Sequence, residues 1–135
     1  MKEILIRYPC LVDELATTVT IVHGSFPACK SAKRCKAIWD TGSSDTTVST
    51  RAIELLELER VAGLEPRKIK TANGIIDSFP YHASVQLDPS WPPYKMIIWS
   101  MPPSDVEVLI GMNIISRGNL RIWPQDNKTI LSFQL

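Results

Sequence analysis

Apolar and polar residues alternate with a period of two along much of the chain. From Thr18 to His23 β-branched residues predominate, and this run ends at Gly24. From Ser78 to Leu87 every second residue is apolar or aromatic, and most of the intervening residues are polar. Such alternation is typical of strands that bury one face. The pattern therefore predicts two half-buried β-strands in these segments.

Short apolar segments continue to the end of the chain and predict further strands. The segments are Lys95–Met101, Val106–Ile110, Leu120–Trp123 and Thr129–Leu135. They are separated by the proline pairs at 92–93 and 102–103 and by a turn-like stretch at 124–127. Proline cannot donate to a sheet or continue a helix, so its spacing here favours short strands joined by turns.

Two helices are predicted, both of them short. Residues 50–58 contain good helix formers and follow a Ser/Thr-rich stretch that can cap the first turn. Residues 113–117 form a second candidate, with Asn113 as its cap and Gly118 as a left-handed end. Together these elements predict a mainly β fold, a small barrel or sandwich with one or two short helices.

Composition and charge are those of an ordinary globular domain, which we expect to span residues 1–135. The chain has 44% hydrophobic and 21% charged residues and a net charge of +1. The net charge gives no reason to expect a nucleic acid partner. No apolar run approaches the ~18 residues that span a membrane, and the N-terminal apolar run is shorter than that of a signal peptide. We expect a cytoplasmic protein without a membrane partner.

A basic segment at residues 28–36 is interpreted as a solvated loop between the first two strands. It lies between two of the three cysteines, Cys29 and Cys35, while Cys10 stands apart. The pair could form a disulfide or bind a metal, but reduced thiols are the default in the cytoplasm. Since His23 and His82 are the only histidines, we expect neither a metal nor a cofactor.

Three motifs that bear on chemistry occur in a fixed order. The first is Ile38-Trp39-Asp40-Thr41-Gly42-Ser43, which by itself is compatible with an ordinary surface turn. The second is a predicted hairpin, 68–86, whose tip contains Asn73-Gly74, a pair that tolerates positive φ. The third is residues 108–115, an apolar strand that runs into a glycine and a short helix.

In this order and spacing, the chain resembles the retropepsin-like aspartic proteases, the retroviral-type family with bacterial and cellular members. The resemblance covers about Thr17 to the C-terminus. It implies a small closed β-barrel with one lobe per chain, Asp40 as the catalytic acid, and the hairpin as a flap over the substrate. It also implies roles for the residues around these two features: catalytic Thr41, Gly42 and Ser43, and substrate-binding Thr71, Ala72, Asn73, Gly74, Ile75 and Ile76.

The resemblance assigns each residue of the Asp40 loop a task. Gly42 allows a tight turn, Thr41 hydrogen-bonds to the partner loop, and Ser43 hydrogen-bonds to the outer carboxylate oxygen. Three positions depart from the family pattern: Trp39 is bulkier than the usual aliphatic residue, Met112 replaces the arginine of viral members, and Asn113 replaces the aspartate of many bacterial ones. The substrate pockets are expected to be apolar and to lie near Val48, Ile75, Ile76 and Pro103.

Peptide hydrolysis by carboxylates needs two of them. One takes a proton from water while the other, protonated, polarises the carbonyl, and two adjacent carboxyl groups that share a proton do both. Only Asp40 has the Asp-Thr-Gly context in this chain. The sequence therefore predicts an aspartic endopeptidase whose site forms across the two-fold axis of a homodimer. The resemblance implies that the chain ends belong to the dimer interface, where residues 130–135 could join an inter-chain sheet. The alternative is a dimeric peptide-binding or scaffolding module without turnover.

Overall fold

The computed structural model of the chain describes residues 2–24 and 30–135. In this part the chain forms eleven strands and two short helices. The elements in chain order are β1 (Glu3–Arg7), β2 (Ala16–His23), β3 (Ser31–Trp39), β4 (Thr47–Ser49), α1 (Thr50–Leu56), β5 (Arg67–Thr71), β6 (Gly74–Ser78), β7 (Pro80–Gln86), β8 (Tyr94–Met101), β9 (Val108–Ile110), α2 (Met112–Ile115), β10 (Asn119–Gln125) and β11 (Lys128–Gln134). The predicted mainly β fold is confirmed.

Six strands close into a barrel in the order β2-β3-β9-β4-β8-β7. The β-strands β3 and β9 pair in parallel, which places the ends of both strands side by side. Their last residues, Trp39 and Ile110, are register partners and both are buried. The residues that follow these two strands, Asp40 and Gly111, therefore leave the barrel next to each other.

The basic segment is a strand, so its interpretation as a loop is wrong from residue 31 onward; residues 28 and 29 lie outside the described part. Exposed Lys36 is flanked by Cys35 and Ala37, both of which face the barrel interior. Lys33 forms an ion pair with Glu107 at 3.0 Å, and this hydrogen-bonded carboxylate raises the lysine pKa. Because outward side chains of β3 are charged, the alternation of buried and exposed positions is hard to recognise in the sequence.

The Cys35 thiol is free and packed in the core. Burial, with help from the nearby Glu107 carboxylate, raises its pKa to about 11, so the thiol stays protonated at neutral pH. Cys10 is free and exposed, and Cys29 lies outside the described residues. Within residues 2–24 and 30–135, no three His, Cys, Asp or Glu side chains are grouped so as to hold a metal.

A second sheet of three strands, β1-β11-β10, packs beside the barrel. Its middle strand, β11, pairs with β1 along one edge and with β10 along the other. Both edges of β11 are occupied within the chain, so an inter-chain sheet that includes residues 130–135 would have to extend from β1 or β10; that expectation stays a prediction. β1 was not predicted because its three apolar residues, Ile4 to Ile6, form a short run between charged residues that resembles an exposed chain end.

Both helices differ in detail from their predictions. α1 starts after Ser49, whose Oγ accepts a hydrogen bond from the Ala52 N–H at 3.3 Å, and ends two residues early because Glu57 turns left-handed. α2 begins after Gly111 rather than Asn113. Gly118 does not end it in a left-handed turn; a Cβ there would overlap the Gln134 carbonyl, so glycine is needed for close packing. No helix of the described residues is long and apolar enough to cross a membrane.

The predicted hairpin is shorter than expected. β5 and β6 pair with each other in a separate two-stranded sheet, and the chain then enters the barrel as β7. Thr71 pairs with Gly74, so the turn lies at the predicted tip, residues 71–74, with Ala72 and Asn73 as its central residues. Gly74 has a φ of 113°, a conformation that favours glycine.

The barrel and the three-stranded sheet share one hydrophobic core. Phe133 of β11 is fully buried and lies 5.0 Å from the Trp39 ring and 6.3 Å from the Trp91 ring. Trp39 belongs to the barrel and Phe133 to the three-stranded sheet, so this aromatic contact joins the two. The contact lies beneath Asp40, the residue that follows Trp39.

We expect Phe133→Ala to destabilise the fold by about 3–5 kcal/mol, because it leaves a cavity between the two sheets. Urea denaturation followed by circular dichroism measures this loss. Leu135→Ala, at a side chain that is 50% exposed, is the control and should shift the midpoint little. Equal midpoints for the two variants would contradict the shared core.

Candidate active site

The Asp40 loop follows β3 directly and is held by its own backbone. The Asp40 N–H donates to the Ile110 carbonyl at 2.9 Å, which anchors the loop to β9. The Gly42 N–H donates to Asp40 Oδ1 at 2.9 Å, and the Ser43 N–H donates to the Asp40 carbonyl at 3.2 Å. The carboxylate is thus oriented by the turn that follows it while staying partly accessible to solvent.

The other loop residues are placed in part as the resemblance implies. Gly42 lies close to the acid: a Cβ there would be 3.3 Å from Asp40 Oδ1. Thr41 is exposed in the single chain. The Ser43 hydroxyl donates to the Asp45 carbonyl at 2.7 Å. The expected bond from Ser43 to the Asp40 carboxylate is therefore replaced by a bond that closes the loop.

The start of α2 supports the loop from below. The Met112 N–H donates to the Ser43 carbonyl at 2.7 Å and the Asn113 N–H donates to the Ser44 carbonyl at 3.1 Å. Gly111 approaches so closely that a Cβ would overlap the Asp45 carbonyl. Glycine is therefore required at position 111, where the start of α2 meets the Asp40 loop. This contact explains the glycine of the third sequence motif, residues 108–115.

Thr46, a residue not singled out from the sequence, connects these segments through its side chain. Its hydroxyl donates to Asn113 Oδ1 at 2.8 Å and accepts from the Gly111 N–H at 3.1 Å. The residue is fully buried. The sequence feature that could have pointed to Thr46 is its position just after the Asp-Thr-Gly-Ser motif. Asn113, which departs from the family pattern, thus serves as an acceptor inside the chain.

Trp39 fills the space beneath the loop. It is 4% exposed, its ring packs on Phe133, and its Nε1 donates to Thr17 Oγ1 at 3.0 Å. A buried indole N–H normally needs such a partner. The bulk of this residue, a departure noted in the sequence, is accommodated by the core and does not displace the loop.

An open cleft of about 550 Å³ lies beside the loop. Its walls come from the loop, from Ile69 and Lys70 of β5, and from the barrel residues Trp99 and Leu109. Val48, near which a pocket is expected, is fully buried in the core, whereas Leu109 is half-buried and faces the cleft.

The flap residues 72–76 lie away from the cleft walls in this structure. The turn residues Ala72, Asn73 and Gly74 are exposed, Ile75 is 69% exposed and Ile76 is half-buried. The base of the same hairpin does reach the cleft: Arg67 pairs with the Asp45 carboxylate, and its guanidinium carbon lies 3.9 Å from the Trp99 ring centroid. This link between hairpin and loop was not found from the sequence, because it depends on two residues 22 positions apart.

Comparison with known proteins agrees with this geometry. The model of a family described as gag-polyprotein putative aspartyl protease matches residues 29–117, which include all three motifs. The chain belongs to this family. Among curated protein sequences, none matches the chain.

Two solved structures show the same fold. A retropepsin-like aspartic protease from Rickettsia conorii is 16% identical, with a TM-score of 0.53, and the match covers 98% of this chain and 91% of that one. The EIAV protease, solved with the inhibitor HBY-793, is also 16% identical, with a TM-score of 0.56 over 83% of this chain and 93% of that one. The family member described here therefore has the retropepsin-type barrel, one lobe per chain, as predicted.

We expect Thr46→Val to destabilise the protein by about 1–3 kcal/mol, since it leaves the Asn113 oxygen and the Gly111 N–H without their partner. Urea denaturation measures the loss. Thr18→Val, at an exposed threonine of β2, makes the same chemical change without a buried partner and should alter stability by less than about 0.5 kcal/mol. A similar small effect at Thr46 would show that its hydroxyl does not support the loop.

Proposed function

We propose that the protein is an aspartic endopeptidase that is active as a homodimer. The observation that carries this proposal is the Asp40 carboxylate, oriented by the Gly42 N–H in a loop whose next residues, 42–45, line an open cleft. The family and the fold support aspartic protease chemistry. One chain supplies one such carboxylate, so a second copy is needed to complete the pair.

In this proposal the two Asp40 carboxyl groups share one proton across the two-fold axis. The ionised carboxylate takes a proton from water, which attacks the peptide carbonyl, while the protonated one donates a hydrogen bond to the carbonyl oxygen. Thr41, exposed in the single chain, is available to hydrogen-bond to the partner loop. Gly42 and Ser43 keep the turn closed around the acid.

The proposed substrate is a peptide segment in extended conformation. It would lie along the cleft and be covered by the hairpin β5–β6, whose backbone can pair with it as with an added strand. The residues assigned to this task are those of the flap: Thr71, Ala72, Asn73, Gly74, Ile75 and Ile76.

We place the contact between the two copies at the three-stranded sheet of β1, β11 and β10. In the described part of the chain, β1 and β10 each pair with β11 alone, so each has one edge open to another strand. These outer edges are the places where an inter-chain sheet could form.

A dimeric peptide-binding module without turnover is the alternative. Such a module would need the cleft and the hairpin, but it would have no use for an acid oriented within an intact Asp-Thr-Gly turn. Turnover by the unmodified protein separates the two functions.

We expect Asp40→Asn to reduce kcat/KM for a cleaved peptide by about 10²–10⁴ or more, because neither chain then supplies a base. Cleavage of a diverse peptide pool, followed by mass spectrometry, measures the change. Dimerisation, measured by sedimentation, should persist in the variant. If the unmodified protein cleaves nothing while Asp40→Asn binds peptides equally well, the binding module is the correct function.

A second prediction concerns the flap. Gly74→Val places a β-branched residue at a φ of 113°, which costs about 1–2 kcal/mol locally and should impair turnover with little effect on global stability. Gly63→Val is the matched control, because Gly63 also has positive φ (76°), outside the hairpin. Equal kinetics in the two variants would mean that the hairpin does not act as a lid.

A further inference from the structure

Positive charge predominates along the cleft and its continuation. A groove of about 350 Å³ adjoins the cleft, and Asp45, Arg67 and Trp99 line both. Arg67 and Lys70 contribute positive charge to the cleft, and Lys95 and Arg117 contribute it to the groove. Asp45 is the single acidic residue among the described residues that line the two cavities, and its charge is already paired with Arg67.

Arg67 is held in place before any ligand arrives. One face of its guanidinium lies on the Trp99 ring, which is 4% exposed, and Nη1 donates to the Asp45 carboxylate. A guanidinium has five N–H donors in a planar fork. No protein acceptor for the others is found in the described part of the chain, and the side chain is 53% exposed.

The neighbouring Lys70 adds a second cation on the same wall of the cleft. It has no carboxylate partner among the described residues, unlike Lys68, whose ammonium pairs with Asp77 at 2.6 Å on the same hairpin. An acidic group entering the cleft would therefore meet one positioned guanidinium and one free ammonium. A neutral amide side chain could accept a hydrogen bond there but would gain no attraction between opposite charges.

We propose that Arg67 selects peptide substrates with an aspartate or glutamate side chain close to the scissile bond. This inference rests on the proposed function, since it names the class of substrate for the same cleft. The carboxylate would bind the free donors of Arg67, which a preorganised fork does with little loss of side-chain entropy. Lys70 would strengthen the interaction by charge alone.

The test uses peptide pairs that differ only by Glu or Gln, placed in turn at each position around the cleaved bond of a substrate. Cleavage is measured as kcat/KM, and binding is measured by calorimetry with reduced-amide analogues, which cannot be hydrolysed. We expect Glu to be preferred over Gln by about tenfold or more at one position or more, as for a charge-assisted hydrogen bond. Higher salt should reduce this preference.

Variants distinguish a role of Arg67 in recognising an acidic substrate side chain from a role in holding the hairpin against the Asp40 loop. Arg67→Gln should bring the Glu/Gln ratio close to one, whereas the matched control Lys68→Gln, on the same strand, should leave the ratio unchanged. Asp45→Asn should increase the ratio, because it removes the charge that partly neutralises Arg67. A residue that only tied the hairpin to the loop would change the cleavage of both peptides together and leave the ratio as it was.

These measurements distinguish a failure of the acidic preference from a failure of the proposed protease function. Cleavage of both peptides with equal kcat/KM and equal binding at every position overturns the acidic preference and leaves the protease intact. A binding preference for Glu that Arg67→Gln abolishes, without cleavage of any peptide, supports acid recognition and overturns the proposed turnover. Failure of both analogues to bind overturns the acidic preference as well.

Discussion

The close contact between the Asp40 loop and the start of α2 is the constraint on which the site depends. Gly111 leaves no room for a side chain there, and the buried hydroxyl of Thr46 completes the contact by bonding to both Gly111 and Asn113. Because β3 and β9 are parallel neighbours, the barrel itself brings these two segments together. The position of the acid is therefore a property of the whole barrel and not of the Asp-Thr-Gly turn alone.

Much of this architecture could be predicted from the sequence where burial selects apolar residues. The strands β2, β7 and β8 are rich in apolar residues because each buries part of its length in the core, as consecutive residues rather than in strict alternation. The Asp40 loop and the segment from Val108 to Ile115 were interpreted through the resemblance to the retropepsin-like family, in which they occur in this order and spacing. By itself the Asp40 motif is compatible with an ordinary surface turn.

Features that depend on distant partners could not be predicted in the same way. β3 was not recognised because the charge of the outward Arg34 and Lys36 outweighs the weak signal of Cys35 and Ala37 facing inward. The contact of Arg67 with Asp45 and Trp99 joins three elements, and none of the three residues has an unusual neighbour in sequence. Such contacts are set by tertiary packing, and the specificity of the cleft depends on them.

The central position of β11 in its sheet determines whether a chain can fold before it associates with a second chain. Each chain completes its terminal sheet with its own strands, so no strand has to be exchanged before the core can form. For the proposed dimer, folding and association would then be separate equilibria, and only the second would depend on protein concentration. A dimer formed by such chains can be assembled and dissolved by mass action while each half keeps its fold, which would make the local abundance of the protein a control on its activity.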